Sequence, residues 1–296
     1  MSVTGNWTIQ RKYKKGWDPA PLRRCGSLFF RASEYDMKNI REYGIGPFSV
    51  AVIHGGPGAS GDMAPVAKEL ALVCGILEPL QTSTSLEGQL QELHTSLKKH
   101  ADLPITLIGH SWGAWLSFLF AARYPSYVKK LILIGSGVFE KKYALTIMAT
   151  RLNRLNDADK LNVHSLKHAL NDSHLENKDE VMAQFGKLMA QADSFDPIPF
   201  DNDELDAQYG IYHCVWQEAE DLRERGKLLE QGKKIQCPVV AIHGDYDSSP
   251  PEGIEEPLSK ILKDFRFIIL KNCGHYPWIE RTAKDNFYEI IKTELK

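Results

Sequence analysis

Short apolar runs that alternate with amphipathic helical patterns predict an α/β fold with a doubly wound, mostly parallel sheet. The runs are apolar throughout, which is typical of parallel strands that are buried on both faces. One long segment without such runs interrupts the alternation and predicts an insertion. The chain has 296 residues, of which 43% are hydrophobic, and this is enough for one large core with an inserted part.

The predicted strands follow one another at regular intervals. They cover residues 48–53, 72–77, 105–108, 131–134, 239–242 and 265–270. An earlier run at residues 27–31 predicts an antiparallel edge strand. Residues 86–97 predict a helix, because leucines recur there every three or four positions. Residues 257–262 and 283–295 have similar helical patterns.

The interruption lies between the strands at 131–134 and 239–242. Its polar, charged sequence predicts helices over residues 141–155, 164–170, 178–191 and 217–229. We therefore expect a core formed by residues 1–137 and 238–296, and a helical cap formed by residues 138–237. Ligands of open α/β sheets bind outside the carboxyl ends of the strands, and a cap inserted after such a strand would cover that crevice.

Composition excludes several functional classes. The net charge of −2 gives no electrostatic basis for binding nucleic acid. The basic run at 11–15 is interpreted as a solvated strand or tail. No apolar stretch is long enough for a membrane span, and the first residues lack the apolar run of a signal peptide. The five cysteines are scattered and form no C-x-x-C pair, so we expect no zinc clamp and a cytoplasmic protein.

The most informative motif is Gly-His-Ser-Trp-Gly at residues 109–113. It lies between an apolar strand and a helix rich in small residues, which is the context in which a G-x-S-x-G motif forms a sharp turn. The two glycines permit that turn. The motif therefore makes Ser111 the candidate nucleophile.

A nucleophilic serine needs a base, and the base needs an orienting carboxylate, in the chain order serine, acid, histidine for this type of turn. His275 follows the last predicted strand and is the candidate base. Asp247 and Asp245 both follow the strand at 239–242. We favour Asp247 because its side chain needs some loop length to reach the imidazole, whereas Asp245 is placed to bind the loop backbone.

A glycine-rich loop, His-Gly-Gly-Pro-Gly, follows the first strong strand at residues 54–58. Glycines there let backbone N–H groups approach a developing oxyanion, and the amide after the serine supplies a second donor. We assign these donors to Gly56 and Trp112. His54 and His110, which flank the two loops, are interpreted as packing and hydrogen-bonding residues.

These motifs together resemble the α/β-hydrolase family. The resemblance covers residues 50–137 and 238–296 and includes the loop at 54–58, the turn at 109–113, Tyr124-Pro125, Gly244-x-x-Asp247 and Gly274-His275. It implies an eight-stranded, mostly parallel sheet with helices on both faces and a helical cap. It also implies a serine-hydrolase triad of Ser111, Asp247 and His275 that requires no cofactor or metal.

The loop at 54–58 is most similar to that of the prolyl-iminopeptidase branch, in which acidic cap residues bind the free amine of the substrate. Residues 78–85 depart from the family pattern, since they contain neither glycine nor arginine. Candidate acids are present in the predicted cap, although a solvated helix face accounts for them equally well. They are Asp201, Asp203, Glu204, Asp206, Glu218, Glu220 and Asp221.

The sequence therefore predicts a serine hydrolase of a small ester, amide or peptide, acting through an acyl-enzyme. The alternatives left open are carbon–carbon bond hydrolysis, acyl transfer, and a ligand-binding protein without catalysis. The expected partner is a small-molecule or short peptide substrate, with no nucleic acid and no membrane. His164 and His168 stand four residues apart, as some zinc ligands do, but they lack the glutamate of H-E-x-x-H, and we predict no metal site.

Overall fold

The computed structural model describes residues 39–200 and 202–296. The predicted edge strand at 27–31, the basic run at 11–15 and Asp201 lie outside the described residues. The described strands are β1 (Ile40–Tyr43), β2 (Val50–Ile53), β3 (Ala59–Ser60), β4 (Ile76–Pro79), β5 (Ile105–His110), β6 (Val128–Ile134), β7 (Asp206–Ala207), β8 (Val239–Gly244) and β9 (Phe265–Leu270).

The main sheet has seven strands within the described residues, against the eight that the resemblance implies. Their order is β1-β4-β2-β5-β6-β8-β9, with β1 antiparallel to β4 and the remaining pairs parallel. The chain adds strands on one side of β2 and then returns to add β5 on the other side. The order thus reverses between β2 and β5, and such a switch point is where open sheets bind ligands.

The helices alternate with these strands and also form the segment between β6 and β8. They are α1 (Ala64–Leu70), α2 (Leu86–His100), α3 (Trp112–Arg123), α4 (Lys141–Ala144), α5 (Ile147–Arg154), α6 (Asp157–Asn171), α7 (Lys178–Asp193), α8 (Tyr209–Glu224), α9 (Lys227–Gln231), α10 (Glu252–Ile261) and α11 (Lys284–Glu294).

Alternate residues of each strand enter separate cores on the two faces of the sheet. Ala51 and Ile53 of β2 pack with residues of α2, α3 and α10, whereas Val50 and Val52 pack with residues of α1 and α11. This alternation follows from the two-residue period of a strand. Because both faces are covered, the prediction of a mostly parallel sheet with helices on both sides is confirmed.

The strand predicted at 72–77 is wrong in position. Leu72 and Val73 are 76% and 61% exposed and close the end of α1, where their N–H groups donate to the carbonyls of Glu69 and Leu70. Strand β4 begins at Ile76 and is fully buried. The apolar run at 72–77 therefore covers two structures: the turn that ends α1 and the first residues of β4.

The segment between β6 and β8 is helical, as the sequence predicts, but two of its helices begin earlier than expected. Helix α6 begins at Asp157 rather than at 164, because the Asn156 side chain caps it by accepting the N–H of Asp159 at 2.9 Å. Helix α8 begins at Tyr209 rather than at 217. The division into a core and a cap over 138–237 stays a prediction.

This helical insertion contains one short strand that pairs with the core. Strand β7 lies antiparallel to β3, with Ala59 opposite Ala207. The Gln208 N–H also donates to the Gly58 carbonyl at 2.7 Å. The insertion is therefore joined by backbone hydrogen bonds to the loop that follows β2. Of the helices described, none is long and apolar enough to cross a bilayer.

Helix α3 approaches β2 and β5 closely at two glycines. A Cβ atom on Gly113 would collide with the carbonyl oxygen of Ile53, and one on Gly109 would collide with that of Gly113. The backbones therefore pack directly, with no side chain between them. This contact fixes the position of the turn that contains Ser111.

Gly113→Ala is expected to lower the free energy of unfolding by about 1–3 kcal/mol, because the added methyl group would overpack this contact. Gly186→Ala is the matched control: its Cβ would meet nothing within 4 Å in the middle of α7, so it is expected to stabilise by about 0.5–1 kcal/mol. Chemical denaturation of both variants measures the difference. Equal effects would contradict the close approach.

Candidate active site

Ser111 occupies the sharp turn between β5 and α3. Its backbone has φ 52° and ψ −111°, a left-handed region that non-glycine residues seldom adopt. The Ser111 N–H donates to the Ile134 carbonyl at 2.9 Å, while its side chain makes no capping hydrogen bond to α3. The turn therefore holds the backbone of Ser111 against the sheet and leaves its hydroxyl uncommitted to the helix.

His275 and Asp247 meet beside this turn. His275 Nδ1 lies 2.6 Å from Asp247 Oδ2, and both side chains are buried. The other oxygen of Asp247 accepts the Ser249 N–H at 2.8 Å. The rings of His110 and His275 are 4.8 Å apart, which places His275 next to the residue that precedes Ser111.

Asp245 takes a different position. It accepts the Cys273 N–H at 3.3 Å, and its other oxygen lies 3.6 Å from Lys271 Nζ. Its side chain is 30% exposed. The structure thus brings Asp247, and not Asp245, to the imidazole of His275, while Asp245 binds the backbone of the loop that leads to it.

The protonation equilibria of the two groups are shifted in opposite directions. Burial by itself would lower the pKa of His275, but the charge of Asp247 and its hydrogen bond raise that pKa above 6.5. Burial would raise the pKa of Asp247, but the nearby imidazoles of His275 and His243 lower it to about 2. The pair therefore favours a carboxylate beside an imidazole that can hold a proton, as a general base must.

The glycine-rich loop after β2 turns toward the same edge of the sheet. Gly56 and Gly58 have φ of 46° and 76°, which glycine adopts without strain. The Gly55 N–H donates to Asp62 Oδ2 at 3.1 Å. His54 is fully buried, and its Nε2 accepts the Gln81 N–H at 3.4 Å, so it has the hydrogen-bonding role predicted for it.

Asp62, which is not among the residues predicted from the sequence, joins this loop to the other side of the site. Asp62 Oδ2 lies 2.7 Å from His110 Nδ1, and His110 Nε2 lies 3.1 Å from the His275 carbonyl oxygen. Burial would raise the pKa of Asp62, but His110 lowers it below its ordinary value. Hydrogen bonds through Asp62 and His110 therefore connect the glycine loop after β2, the end of β5 and the loop after β9. The sequence signal of Asp62 is a lone acid a few residues after the glycine loop.

Glu280 was also missed and fixes the loop that carries His275. It is fully buried, and its carboxylate accepts the N–H groups of Gly274, Phe195 and Asp196, each at 2.8 Å. Phe195 and Asp196 belong to the helical insertion. One carboxylate therefore binds both the His275 loop and the insertion, and no local sequence motif marks it.

The family model of the alpha/beta hydrolase fold matches residues 49–282 of this chain. The chain belongs to the α/β-hydrolase family. It is 25% identical over 268 residues to a proline iminopeptidase of Saccharolobus solfataricus, covering 82% of this chain and 83% of that protein. Lipase 1 of Psychrobacter immobilis is 24% identical over 77% of this chain and 71% of its own length.

Solved structures agree on the fold. The crystal structure of VinJ superposes with a TM-score of 0.64 at 18% identity, covering 86% of this chain and 93% of VinJ. The predicted relation to the prolyl-iminopeptidase branch is confirmed by the sequence matches. The chain is a hydrolase of the α/β-hydrolase superfamily, and its relatives include peptidases, lipases and esterases.

Most acidic candidates of this hydrolase's insertion are bound to groups of the protein itself. Glu204 contacts Lys68, Arg41 at 2.9 Å and the Tyr43 hydroxyl at 3.2 Å. Asp203 is exposed. The remaining pairs are Asp206 with Gln208 (2.6 Å), Glu218 with the Leu86 N–H (2.8 Å), Glu220 with Arg223 (3.2 Å) and Asp221 with Arg225 (3.0 Å).

His164 and His168 lie exposed on α6 of this hydrolase. Across residues 39–200 and 202–296, no group of three histidine, cysteine, aspartate or glutamate side chains is arranged to hold a metal ion. The two histidines therefore have no third ligand among the described residues.

Asp247→Asn is expected to lower the pKa of His275 below 6.5, because the substitution removes the charge that opposes the effect of burial. Asp245→Asn is the matched control and should leave that pKa within about 0.3 units, since Asp245 binds the loop backbone instead. NMR titration of the His275 imidazole measures both values. A larger shift in Asp245→Asn than in Asp247→Asn would reverse the assignment of the acid.

Proposed function

We propose that this chain is a serine hydrolase that cleaves a small ester, amide or peptide bond through an acyl-enzyme formed on Ser111. His275 acts as general base and acid, and Asp247 orients it. The observation that carries the proposal is the 2.6 Å contact between Asp247 Oδ2 and His275 Nδ1, next to a serine held at a positive φ of 52° in a strand–turn–helix motif.

The first step is attack of Ser111 Oγ on the substrate carbonyl carbon. His275 Nε2 takes the hydroxyl proton, and Asp247 accepts the hydrogen bond from Nδ1 and stabilises the imidazolium. Collapse of the tetrahedral intermediate transfers that proton to the leaving group and leaves an ester on Ser111. Water then attacks this ester with His275 again as base, which releases the acid and restores the serine.

The negative charge of the tetrahedral intermediate needs two N–H donors, for which we propose Gly56 and Trp112. Trp112 is the first residue of α3, and the first N–H groups of a helix have no partner within it and carry its positive dipole end. The neighbouring amides are already used: that of Ser111 by Ile134 and that of Gly55 by Asp62. Gly56 and Trp112 are therefore our proposed donors, one from each of the two loops.

Labelling with a fluorophosphonate tests the nucleophile. The wild-type chain is expected to react at one serine, and Ser111→Ala should abolish labelling and lower turnover by roughly 10⁴-fold or more. Ser259→Ala changes an exposed hydroxyl on α10 that bonds only to its own helix, and should label as the wild type does. A folded wild-type chain that does not react would favour the alternative of a ligand-binding protein without catalysis.

For the substrate, we favour an ester over a peptide with a free amino terminus. The proline iminopeptidase relative suggests the peptide, but an amine-binding site needs unpaired carboxylates, and most of the insertion acids have partners in the chain. Breaking the pair of Glu220 would leave the buried guanidinium of Arg223 without its partner. Carbon–carbon bond hydrolysis and acyl transfer use the same nucleophile and remain alternatives.

A panel of p-nitrophenyl esters and aminoacyl anilides measures this preference. Short-chain esters are expected to be hydrolysed with kcat/KM at least about tenfold above that of prolyl anilide, a difference of about 1.4 kcal/mol in activation free energy. Glu204→Gln should leave the ratio unchanged, because Glu204 is occupied by Lys68 and Arg41. Turnover of prolyl anilide alone, lost in Glu204→Gln, would overturn the preference.

A further inference from the structure

The last residue of α7, Asp193, supports the backbone of His275. Its carbonyl oxygen accepts the His275 N–H at 2.8 Å. It also lies where a Cβ atom on Gly274 would be, so the two backbones are in direct contact. The Asp193 side chain is 2% exposed. The helical insertion thus supplies the hydrogen-bond acceptor that fixes the main chain at the candidate base.

Arg151 of α5 holds Asp193 in this position. Its Nε lies 3.0 and 2.8 Å from the two carboxylate oxygens of Asp193, and its Nη2 lies 2.6 Å from one of them. A forked contact of this kind is short and geometrically specific. Next to the pair, Leu155, Val163, Met189 and Ala192 form a small core within the insertion, which anchors the end of α7.

The ion pair is close enough to His275 for its charges to act on the imidazole. Burial has the largest effect on the pKa of His275 and lowers it; Asp247 raises it, Asp193 raises it, and Arg151 lowers it. Charged and titratable groups face His275 from several of the elements packed around it. They are Asp247 after β8, His110 at the end of β5, Asp193 on α7, Arg151 on α5 and the adjacent Tyr276.

We propose that Asp193 and Arg151 are positioning residues for His275, supplied by the helical insertion. The Asp193 carbonyl fixes the backbone of His275, and the charges of Asp193 and Arg151 act on its imidazole in opposite directions. The proposal rests on the proposed role of His275 as the base. It adds that the insertion controls the geometry and the proton affinity of that base, besides covering the site.

Single substitutions separate the two charges. Asp193→Asn removes a negative charge near the imidazole and leaves Arg151, so the pKa of His275 is expected to fall by about half a unit to one unit. Arg151→Met removes the positive charge and should raise the same pKa by a similar amount. NMR titration of the His275 imidazole, assigned by its loss in His275→Gln, measures both shifts. A residue that is only structural would not produce shifts of opposite sign.

Two further variants separate charge from position. The double variant Arg151→Met with Asp193→Asn removes both charges, so the pKa should return to within about 0.3 units of the wild-type value. Because the end of α7 is no longer held, kcat should still fall roughly tenfold to a hundredfold while KM changes less than about threefold. Arg151→Lys keeps the charge, so it should keep the pKa and lose only part of kcat.

Matched controls come from an exposed ion pair of the same insertion, Lys160 with Asp157 at 3.0 Å on α6. Lys160→Met and Asp157→Asn should change neither the pKa of His275 nor kcat. Circular dichroism and thermal unfolding verify that each variant is folded. If Asp193→Asn does not fold, Arg151→Met compared with Arg151→Lys decides the result through the same titration.

Two outcomes overturn the proposal: shifts of the same sign in Asp193→Asn and Arg151→Met, or shifts no larger than those of the controls. Failure of the proposed function gives a different result, since the titration does not depend on turnover. In that case Ser111 would not react with a fluorophosphonate, while the opposite pKa shifts of His275 would persist.

Discussion

The site depends first on the direct backbone contact of α3 with β2 and β5. At Gly109 and Gly113 no side chain separates the three elements, so the strand end, the turn and the first helical amide form one packed unit. The positive φ of Ser111 costs free energy that such packing must offset. As a result, packing against the sheet, and not a flexible loop, fixes the positions of the Ser111 hydroxyl and the Trp112 amide. Sites built on such rigid elements are held more precisely than sites on loops.

The remaining groups reach that turn from separate loops and are held by the carboxylates of Asp62, Asp245 and Glu280, of which Glu280 is fully buried. Asp62 joins the glycine loop to His110, and Asp245 binds the Cys273 N–H before His275. Glu280 binds the Gly274 N–H next to His275 and the Phe195 N–H of the insertion. Charge-assisted hydrogen bonds of this kind are stronger than neutral ones. Polar contacts thereby hold together loops that are far apart in the chain, and the insertion joins the same network through Phe195 and Asp196.

The sequence predicted the parts of this arrangement that local chemistry determines. Apolar runs marked the buried strands, and the glycines around Ser111 marked the turn. Leu72 and Val73 were misassigned because an apolar pattern does not distinguish a helix-ending turn from a strand. Glu280, Asp193 and Arg151 carry no local signal, since Glu280 binds Phe195 85 residues away, Asp193 binds His275 82 residues away and Arg151 binds Asp193 42 residues away. Only the folded chain brings these partners together. The loop length that favoured Asp247 over Asp245 agrees with the side chain that contacts the imidazole.

The pairing of β3 with β7 has a consequence for how new specificities could arise. Both ends of the helical insertion leave the sheet at the neighbouring strands β6 and β8, which makes the insertion a convenient unit to replace in a chimera. Here a chimera that replaced the whole insertion would also remove the strand hydrogen-bonded to Ala59 and Ser60, close to Gly56, together with the Asp193 carbonyl beneath His275. Recombination is therefore best restricted to the outer helices, such as α6, with the segments that touch the two loops retained.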